Sequence, residues 1–258
     1  MRELCFVVDK PPGPSSFDVV RRVKAKMGSE KVGHAGSLDP FASGVLVILT
    51  GRATKLSGAL LNADKSYSAI VKLGQSTNTM DRTGEVVETK NIPPLAMSDI
   101  EGVCRSYEGT WLQTPPMFSA KKIRGVRLYE LARKSIHVKR SAVPVQLYRV
   151  QSLEYSEPFL SFEMDCSKGT YVRAFADELG KRLGSCGHLY ELRRTQCGQF
   201  ALADAMPLES LEADWDQWLL RGRDNYTKLL RGEVHRPARY LQMGFKDGKH
   251  PRQDNNSI

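Results

Sequence analysis

Apolar and polar residues alternate along several segments of the chain, and a period of two is typical of half-buried strands. The clearest alternation covers residues 66–73, and only Ile70 interrupts it. Its apolar positions are Tyr67, Ala69, Val71 and Leu73. Two longer segments, 143–155 and 159–166, have the composition of neighbouring strands that pair with each other. The pattern predicts that a sheet occupies much of the chain.

The first residues of the chain predict a strand followed by a helix. Residues 4–8 form an apolar run, and the sequence Pro-Pro-Gly-Pro at 11–14 ends it. Ser15 or Ser16 then stands where a helix N-cap is expected. The apolar positions of this helix are Phe17, Val20 and Val23.

Two further helices are predicted. Ser98 and Glu101 have the spacing of a capping box, and prolines flank that region. Residues 172–183 carry an apolar stripe at helical spacing. Because strands and helices alternate at uneven intervals, we expect an α+β fold with a mixed sheet flanked by helices. The periodicity weakens after about residue 215, and residues 246–258 have the composition of a mobile tail.

Length and composition are those of an ordinary globular protein. With 258 residues, 41% of them hydrophobic and 26% charged, the chain is long enough for one large domain, alone or with a small appendage. Lys and Arg number 38 against 29 Asp and Glu, and the net charge of +9 favours a polyanionic partner. Nucleic acid is the first candidate, although many mildly basic proteins bind nothing acidic.

Much of the positive charge lies in one segment, residues 117–141. It has eight basic residues and a single acidic one, Glu130. Such a density can bind phosphates and release counterions, whereas an isolated run of charge is more often a solvated surface. We interpret the segment as a phosphate-binding surface. Its basic residues are Lys121, Lys122, Arg124, Arg127, Arg133, Lys134, Lys139 and Arg140.

Cysteine usage and the apolar runs indicate the cellular compartment. The five cysteines are scattered and form no CxxC pair, which argues against a disulfide framework and a structural zinc site. The apolar stretch at the N-terminus is too short for a signal peptide, and no run approaches the ~20 residues of a membrane span. We therefore expect a soluble cytoplasmic protein with no membrane partner.

One glycine-rich segment, residues 31–44, combines a carboxylate with an imidazole. Signatures of other enzymes are missing: there is no GxxxxGK[ST] phosphate loop, no HExxH, no GxSxG and no PCxxC. Asp39 precedes a proline and an apolar run, which is also the pattern of a helix N-cap. His34 can equally be a structural histidine, and nothing at metal-ligand spacing accompanies it. Asp39 can therefore be interpreted either as a catalytic group or as a helix N-cap.

Arg173 and Tyr67 are two further candidates. Arg173 follows the sequence Ser-Lys-Gly-Thr-Tyr at 167–171 and falls in the first turn of the predicted helix. A cation there opposes the helix dipole, so it needs an anionic neighbour; the alternative is an exposed arginine held by solvent alone. Tyr67 follows Lys65 and Ser66 and can offer its ring to a base, although core packing is the commoner fate of such a tyrosine.

Together these segments resemble the TruB-type tRNA pseudouridine synthases. The sequence GHAGSLDPFASGV at 33–45 is similar to that family's signature loop, GH(T/A)G(T/S)LDPxAxG, a highly specific motif. The resemblance spans roughly residues 3–208. The other similar segments are DKPPGPSS at 9–16, KSY at 65–67, LGQSTNTMDRTG at 73–84, QTPPMFSAKKIRG at 113–125, SKGTYVR at 167–173 and LRRT at 192–195.

The resemblance implies a fold and a set of site residues. The family's fold is a mixed, largely antiparallel sheet flanked by helices. Its catalytic aspartate matches Asp39, and the arginine that pairs with the aspartate matches Arg173. Its base-stacking tyrosine matches Tyr67, and the histidine that helps to hold the RNA with its target base turned out matches His34. The expected RNA contacts also include Lys10, Lys65, Lys121, Lys122, Arg124, Lys168 and Arg193.

The implied reaction moves uracil from an N1 to a C5 linkage, which breaks a glycosidic bond without redox change or net hydrolysis. A carboxylate can attack the sugar carbon, or it can remove a sugar proton to give a glycal, and both routes remain open. We expect Arg173 to lower the pKa of Asp39 and to fix its orientation. No cofactor and no metal ion are expected.

The leading hypothesis is a stand-alone enzyme that converts uridine at position 55 in the T-arm loop of tRNA, with tRNA as its partner and no obligatory protein partner. A guide-RNA-dependent rRNA enzyme is the alternative with the same chemistry. An RNA-binding protein or chaperone without catalysis and a nucleoside hydrolase are alternatives of other classes. We expect a catalytic domain at 1–212, which includes the basic segment, and a short C-terminal extension or truncated RNA-binding appendage at 213–258.

Overall fold

The computed structural model describes residues 3–28, 31–119, 121–123, 125–132, 134, 136 and 138–232. The strands are β1 (Cys5–Lys10), β2 (Val32–His34), β3 (Ser43–Thr50), β4 (Lys65–Leu73), β5 (Gln75–Thr77), β6 (Val86–Thr89), β7 (Gly109–Gln113), β8 (Lys122–Ile123), β9 (Val126–Arg127), β10 (Val143–Ser156), β11 (Phe159–Cys166), β12 (Gly187–Cys197), β13 (Phe200–Ala201) and β14 (Met206–Pro207). The helices are α1 (Ser16–Met27), α2 (Ser57–Asn62), α3 (Met97–Arg105), α4 (Leu128–Ala132), α5 (Val172–Arg182) and α6 (Trp215–Arg231). Short 3-10 helices lie at Gly51–Leu56, Leu202–Asp204 and Leu208–Leu211.

Ten of the described strands form one mixed sheet. Eight follow the order β14-β1-β3-β12-β4-β11-β10-β7, while β2 pairs with β3 and β13 pairs with β12. The β1–β14 and β3–β12 pairs are parallel, and the other pairs in this sheet are antiparallel. The predicted α+β class with a largely antiparallel sheet is therefore confirmed.

The predicted alternation in β4 corresponds to one buried face of this sheet. All four apolar positions of the alternation belong to the main hydrophobic cluster, and β4 lies between β11 and β12. Side chains of four helices complete that cluster. Examples are Val20 of α1, Ile100 of α3, Phe175 of α5 and Trp218 of α6. The helices thus cover the sheet as the apolar stripes predicted.

Helix α1 begins where the sequence predicts it. The Ser15 hydroxyl accepts a hydrogen bond from the Asp18 backbone N–H at 3.2 Å, and the Asp18 carboxylate accepts one from the Ser15 N–H at 2.8 Å. Val20 and Val23 are buried, but Phe17 is 64% exposed. The implied core position of Phe17 is wrong because the buried face of α1 follows the spacing Ser16, Val19, Val20 and Val23.

The cap of α3 differs from the predicted one. The helix begins at Met97, so Ser98 lies inside its first turn. Asp99 accepts the hydrogen bond from the Ala96 N–H at 3.2 Å, which is the contact expected of Glu101. An acidic residue at this position satisfies a free N–H group whether or not a serine precedes it.

Helix α6 packs on the edge of the main sheet. The rings of Trp215 and Trp218 have centroids 5.9 Å and 5.7 Å from that of Phe6 in β1.

Residues 233–258, with the predicted mobile tail, lie outside the described residues. The boundary between residues 212 and 213 therefore stays a prediction. None of the described helices combines the length and the apolar character needed to cross a lipid bilayer.

Candidate active site

Asp39 lies in the connection between β2 and β3. The Ala42 N–H donates to the Asp39 carbonyl at 3.1 Å, and the chain then enters β3 at Ser43. No helix follows Asp39 in this described stretch, which excludes the alternative of a helix N-cap. The Asp39 side chain is 37% exposed and is thus accessible to a ligand.

Arg173 binds both carboxylate oxygens of Asp39. Its Nε lies 2.9 Å from Oδ2, and its Nη2 lies 3.3 Å from Oδ1. The guanidinium also donates to the carbonyls of Thr79 at 2.9 Å and Phe118 at 2.7 Å. The side chain is 4% exposed and stands in the first turn of α5. The anionic neighbour that the sequence required for Arg173 is therefore Asp39.

A second carboxylate, Asp81, contacts the other side of Arg173. Its Oδ2 lies 3.4 Å from Nη1, and the side chain is 5% exposed. Oδ1 accepts hydrogen bonds from the hydroxyls of Thr79 at 2.8 Å and Thr83 at 2.5 Å. Asp81 was not among the predicted site residues, although it lies in the family-like segment 73–84. Its position opposite Arg173 depends on long-range folding, which the local sequence does not show.

The pKa of Asp39 depends on several neighbours. Burial raises it above the usual value of an aspartate, and the charge of Asp81 adds to the rise. Arg173 acts in the opposite direction, as expected, and so does Lys10. The net direction is upward because desolvation outweighs the two cations, whereas the sequence suggested a lowered pKa.

Lys10 holds the loop of Asp39 from one side. Its Nζ donates to the carbonyls of Pro11 at 2.8 Å, Pro40 at 3.2 Å and Ala42 at 2.7 Å. The side chain is fully buried, and burial lowers the pKa of Lys10 to about 8. The expectation of an RNA contact is corrected here, because its three donors are all engaged by the backbone.

Arg194 holds the same loop from the other side. Its Nη2 donates to the Gly36 carbonyl at 3.1 Å, its Nη1 to Ser37 at 3.2 Å and its Nε to Val45 at 2.7 Å. The side chain is 1% exposed. The sequence indicated the neighbouring Arg193 as a site residue and gave no signal for Arg194. Two buried cations thus fix the loop that carries the candidate carboxylate.

Tyr67 is connected to this loop through Arg194. The two residues face each other in the pairing of β4 with β12, and burial raises the pKa of Tyr67 while the charge of Arg194 opposes the rise. The side chain is 8% exposed and belongs to the main hydrophobic cluster. Of the two alternatives that the sequence left open, the ring therefore has core packing, and a small part of it remains exposed.

His34 ends the short strand β2 and so does not lie in an irregular loop. Its Nδ1 is buried and has no hydrogen-bond partner among the residues that the structure describes. Burial lowers the pKa of His34, and the charge of Arg194 adds to this effect. Its environment therefore favours the neutral imidazole, and its Nδ1 is unused within the described part of the chain.

The other expected RNA contacts differ in exposure. Lys65 is buried, and its Nζ donates to the carbonyls of residues 60, 61 and 63, so this expectation is also corrected. Lys168 is exposed, and Arg193 pairs with Asp9 at 2.7 Å. Lys121 is half-buried, Lys122 belongs to β8, and Arg124 lies outside the described residues.

The described residues contain no cluster of three or more His, Cys, Asp or Glu side chains that could hold a metal ion. The chemistry that the described residues can supply here is that of a partly exposed carboxylate, Asp39, which Arg173 holds in place. Such a group can act as a nucleophile or as a base.

Two family models match the chain. The model of the TruB family pseudouridylate synthase N-terminal domain matches residues 24–172, and the model of the tRNA pseudouridylate synthase B C-terminal domain matches residues 173–231. Asp39 falls in the first match and Arg173 in the second.

Several curated proteins named tRNA pseudouridine synthase B are similar to this chain. The protein of Haemophilus influenzae strain Rd is 44% identical over 207 residues, which cover 80% of this chain and 66% of the relative. The protein of Opitutus terrae is 42% identical, over 81% of this chain and 86% of the relative.

Solved structures show the same fold. A Cbf5–Nop10–Gar1 complex contains a chain with 30% identity and a TM-score of 0.66, over 88% of this chain and 58% of that one. An H/ACA RNP bound to a substrate RNA containing 2′-deoxyuridine gives 27% identity and a TM-score of 0.62, over 88% and 57%. This chain spans less than two thirds of the Haemophilus relative and of both of these chains. The matches confirm the predicted family: the chain belongs to the TruB family of pseudouridylate synthases.

Proposed function

We propose that this protein isomerises uridine to pseudouridine in the T-arm loop of tRNA, at position 55, with Asp39 as the catalytic carboxylate. One observation carries the proposal: Asp39 is partly exposed, while the arginine that binds both of its oxygens is almost completely buried. A carboxylate that is held by the protein and remains accessible can approach the sugar of a nucleotide.

The reaction breaks the bond between N1 of uracil and C1′ of the ribose, turns the base and forms a bond from C5 to C1′. The hydrogen at C5 leaves as a proton and N1 takes up a proton from solvent, so the mass of the RNA is unchanged. Asp39 attacks C1′ as a nucleophile or removes the proton at C2′ as a base. Both routes need the ionised carboxylate, and Arg173 stabilises that form and fixes its two oxygens.

Tyr67 and His34 hold the target nucleotide in this proposal. Tyr67 lies opposite Arg194 in the pairing of β4 with β12, and Arg194 donates to the loop of Asp39, so the ring and the catalytic carboxylate share one support. The buried Nδ1 of His34 has no partner among the described residues, and a polar group of the RNA would satisfy it. A base in a folded loop must leave its stack before the enzyme can reach its glycosidic bond.

The proposed RNA surface keeps Lys121, Lys122, Lys168 and Arg193. Lys168 is exposed, and Arg193 keeps 42% of its side-chain surface exposed despite its ion pair with Asp9. Contacts with phosphates supply most of the affinity of a nucleic-acid-binding protein, and they make it salt-dependent.

We also propose that the enzyme acts without a guide RNA or an obligatory protein partner. The curated relatives bear the name tRNA pseudouridine synthase B, whereas the similar solved chains come from a Cbf5–Nop10–Gar1 complex and an H/ACA RNP. The curated relatives are more similar in sequence, at 42–44% identity against 27–30%. A tRNA substrate agrees with the cytoplasmic location expected from the sequence, which stays a prediction.

The test uses the purified protein alone with an unmodified T-arm stem-loop in the presence of EDTA. Pseudouridine is mapped by carbodiimide modification and primer extension, and a stem-loop with cytidine at the target position is the control. We expect one modified position in the first RNA and none in the second. Modification that requires added guide RNA would replace this proposal with the guide-dependent alternative, and free uracil in the products would indicate a hydrolase.

A further inference from the structure

Arg82 lies next to the loop of Asp39 and places its guanidinium near two aromatic rings. Its central carbon lies 6.0 Å from the ring centroid of Phe41 and 5.8 Å from that of Tyr190. The residue is exposed, and within the described part of the chain its side chain makes no ion pair or hydrogen bond. An exposed arginine stacked on two rings keeps its N–H donors available for a ligand.

The backbone around Arg82 is fixed to β12. The Arg82 N–H donates to the Leu189 carbonyl at 3.0 Å, and the Leu189 N–H donates to the Met80 carbonyl at 3.0 Å. Met80 has a positive φ of 62°, an uncommon conformation for a residue with a side chain. The neighbouring Asp81 contacts Arg173. The position of Arg82 is thus set by the same turn that supports the candidate catalytic pair.

The chemistry of Arg82 favours a phosphate ligand. Its guanidinium carbon already lies over two rings, so stacking on a base would have to replace these contacts. The N–H edges remain, and their fork geometry matches two oxygens of a phosphate. The two lysines expected nearest the site, Lys10 and Lys65, donate to backbone carbonyls and are not accessible.

We propose that Arg82 binds a phosphodiester group of the substrate RNA close to the target nucleotide, where Phe41 and Tyr190 hold the guanidinium in place. This inference rests on the proposed function, because it assumes that RNA lies over the loop of Asp39. It adds a binding residue that neither composition nor the signature loop indicates.

The test measures the affinity of the full-length protein for a fluorescent T-arm stem-loop at a series of salt concentrations. Arg82→Gln removes the charge, and Arg82→Lys keeps it without the fork. Arg105→Gln is the matched control, because Arg105 is an exposed arginine of α3 that has neither a ring contact nor an ion pair among the described residues.

For Arg82→Gln we expect weaker binding and a plot of log Kd against log salt whose slope falls by about 0.7–0.9, the contribution of one phosphate contact. The difference from wild type then shrinks by about five- to eight-fold for each ten-fold rise in salt. Arg82→Lys keeps the wild-type slope, and Arg105→Gln keeps both slope and Kd. These results together support the contact.

An unchanged slope and Kd in Arg82→Gln, or an equal loss in Arg105→Gln, overturns the inference. The inference is also overturned if Arg82→Gln lowers only the rate of the RNA-saturated enzyme and leaves the Kd and the slope unchanged. Failure of the proposed function can be distinguished from failure of this inference. A wild-type protein that binds the stem-loop but never modifies it would refute the proposed enzyme, and the phosphate contact of Arg82 could still be measured.

Discussion

The side chains of Asp39 and Arg173 form a two-point contact across 134 residues of sequence, with Nε 2.9 Å from Oδ2 and Nη2 3.3 Å from Oδ1. The contact joins the loop between β2 and β3 to the first turn of α5. It also joins the regions that two separate family models match. A fixed orientation of Asp39 therefore requires both regions to fold together.

Arg173→Lys is expected to reduce turnover by about 100- to 1,000-fold. Lysine keeps the charge, but it cannot bind two carboxylate oxygens in a fork and also reach the carbonyls of Thr79 and Phe118. Single-turnover kinetics on the T-arm stem-loop measures the effect. The control is Arg182→Lys in the same helix, where an exposed arginine bonds to Ser106 and turnover should stay near normal. Near-normal turnover in Arg173→Lys would refute the positioning role.

Asp81→Asn is expected to move the acid limb of the pH profile to lower pH. The charge of Asp81 raises the pKa of Asp39, so a neutral amide lets that pKa fall. In the proposed mechanism Asp39 acts in its ionised form, so activity should be lost as the pH falls through the pKa of Asp39. A lower pKa therefore preserves activity to lower pH. The measurement is the dependence of kcat/KM on pH.

Glu85→Gln is the control for this shift, because Glu85 is an exposed carboxylate just before β6. Its acid limb should coincide with that of the wild type. An acid limb of Asp81→Asn that stays in place or moves to higher pH would show that Asp81 does not influence the ionisation of Asp39 in the way described.

Gly44→Ala is expected to lower the free energy of unfolding by about 2 kcal/mol or more and to impair catalysis. Gly44 has a φ of +101°, and a Cβ there would lie 2.2 Å from the Arg194 carbonyl oxygen. The overlap would separate β3 from β12 and disturb the loop that Arg194 holds. Urea denaturation measures the change.

Gly58→Ala provides the contrast, since a Cβ at Gly58 meets no atom within 4 Å and the residue lies in α2. This variant should be unchanged or more stable by about 0.5–1 kcal/mol. Equal stability of the two variants would mean that the close approach at Gly44 does not constrain the fold.

Local patterns predicted the elements well where burial is periodic. The alternation in residues 66–73 and the stripe from Val172 to Leu183 correspond to β4 and α5. Helix α6 was not predicted, although its inner side follows helical spacing: Trp215, Trp218, Leu219, Tyr226 and Leu229 pack against the two hydrophobic clusters. The exposed Leu220 and Leu230 obscure this stripe in the sequence.

The candidate site was predicted in part. The need of Arg173 for an anion could be inferred from its place in a helix, and the structure supplies Asp39. The roles of Lys10 and Arg194 could not be inferred, because a cation that binds backbone carbonyls has the same sequence as one that binds RNA. Asp81 was missed for a related reason, since its partner is distant in the sequence.

The most direct test of the central claim is tritium release from a T-arm stem-loop labelled at C5 of uridine, with wild type and Asp39→Asn compared in the absence of metal and nucleotide. An exposed aspartate of α6 gives the control Asp216→Asn, which should release tritium like the wild type. We expect Asp39→Asn to bind the RNA and its tritium release to fall by about 1,000-fold or more. Release by Asp39→Asn at the wild-type rate would show that Asp39 is not the catalytic carboxylate.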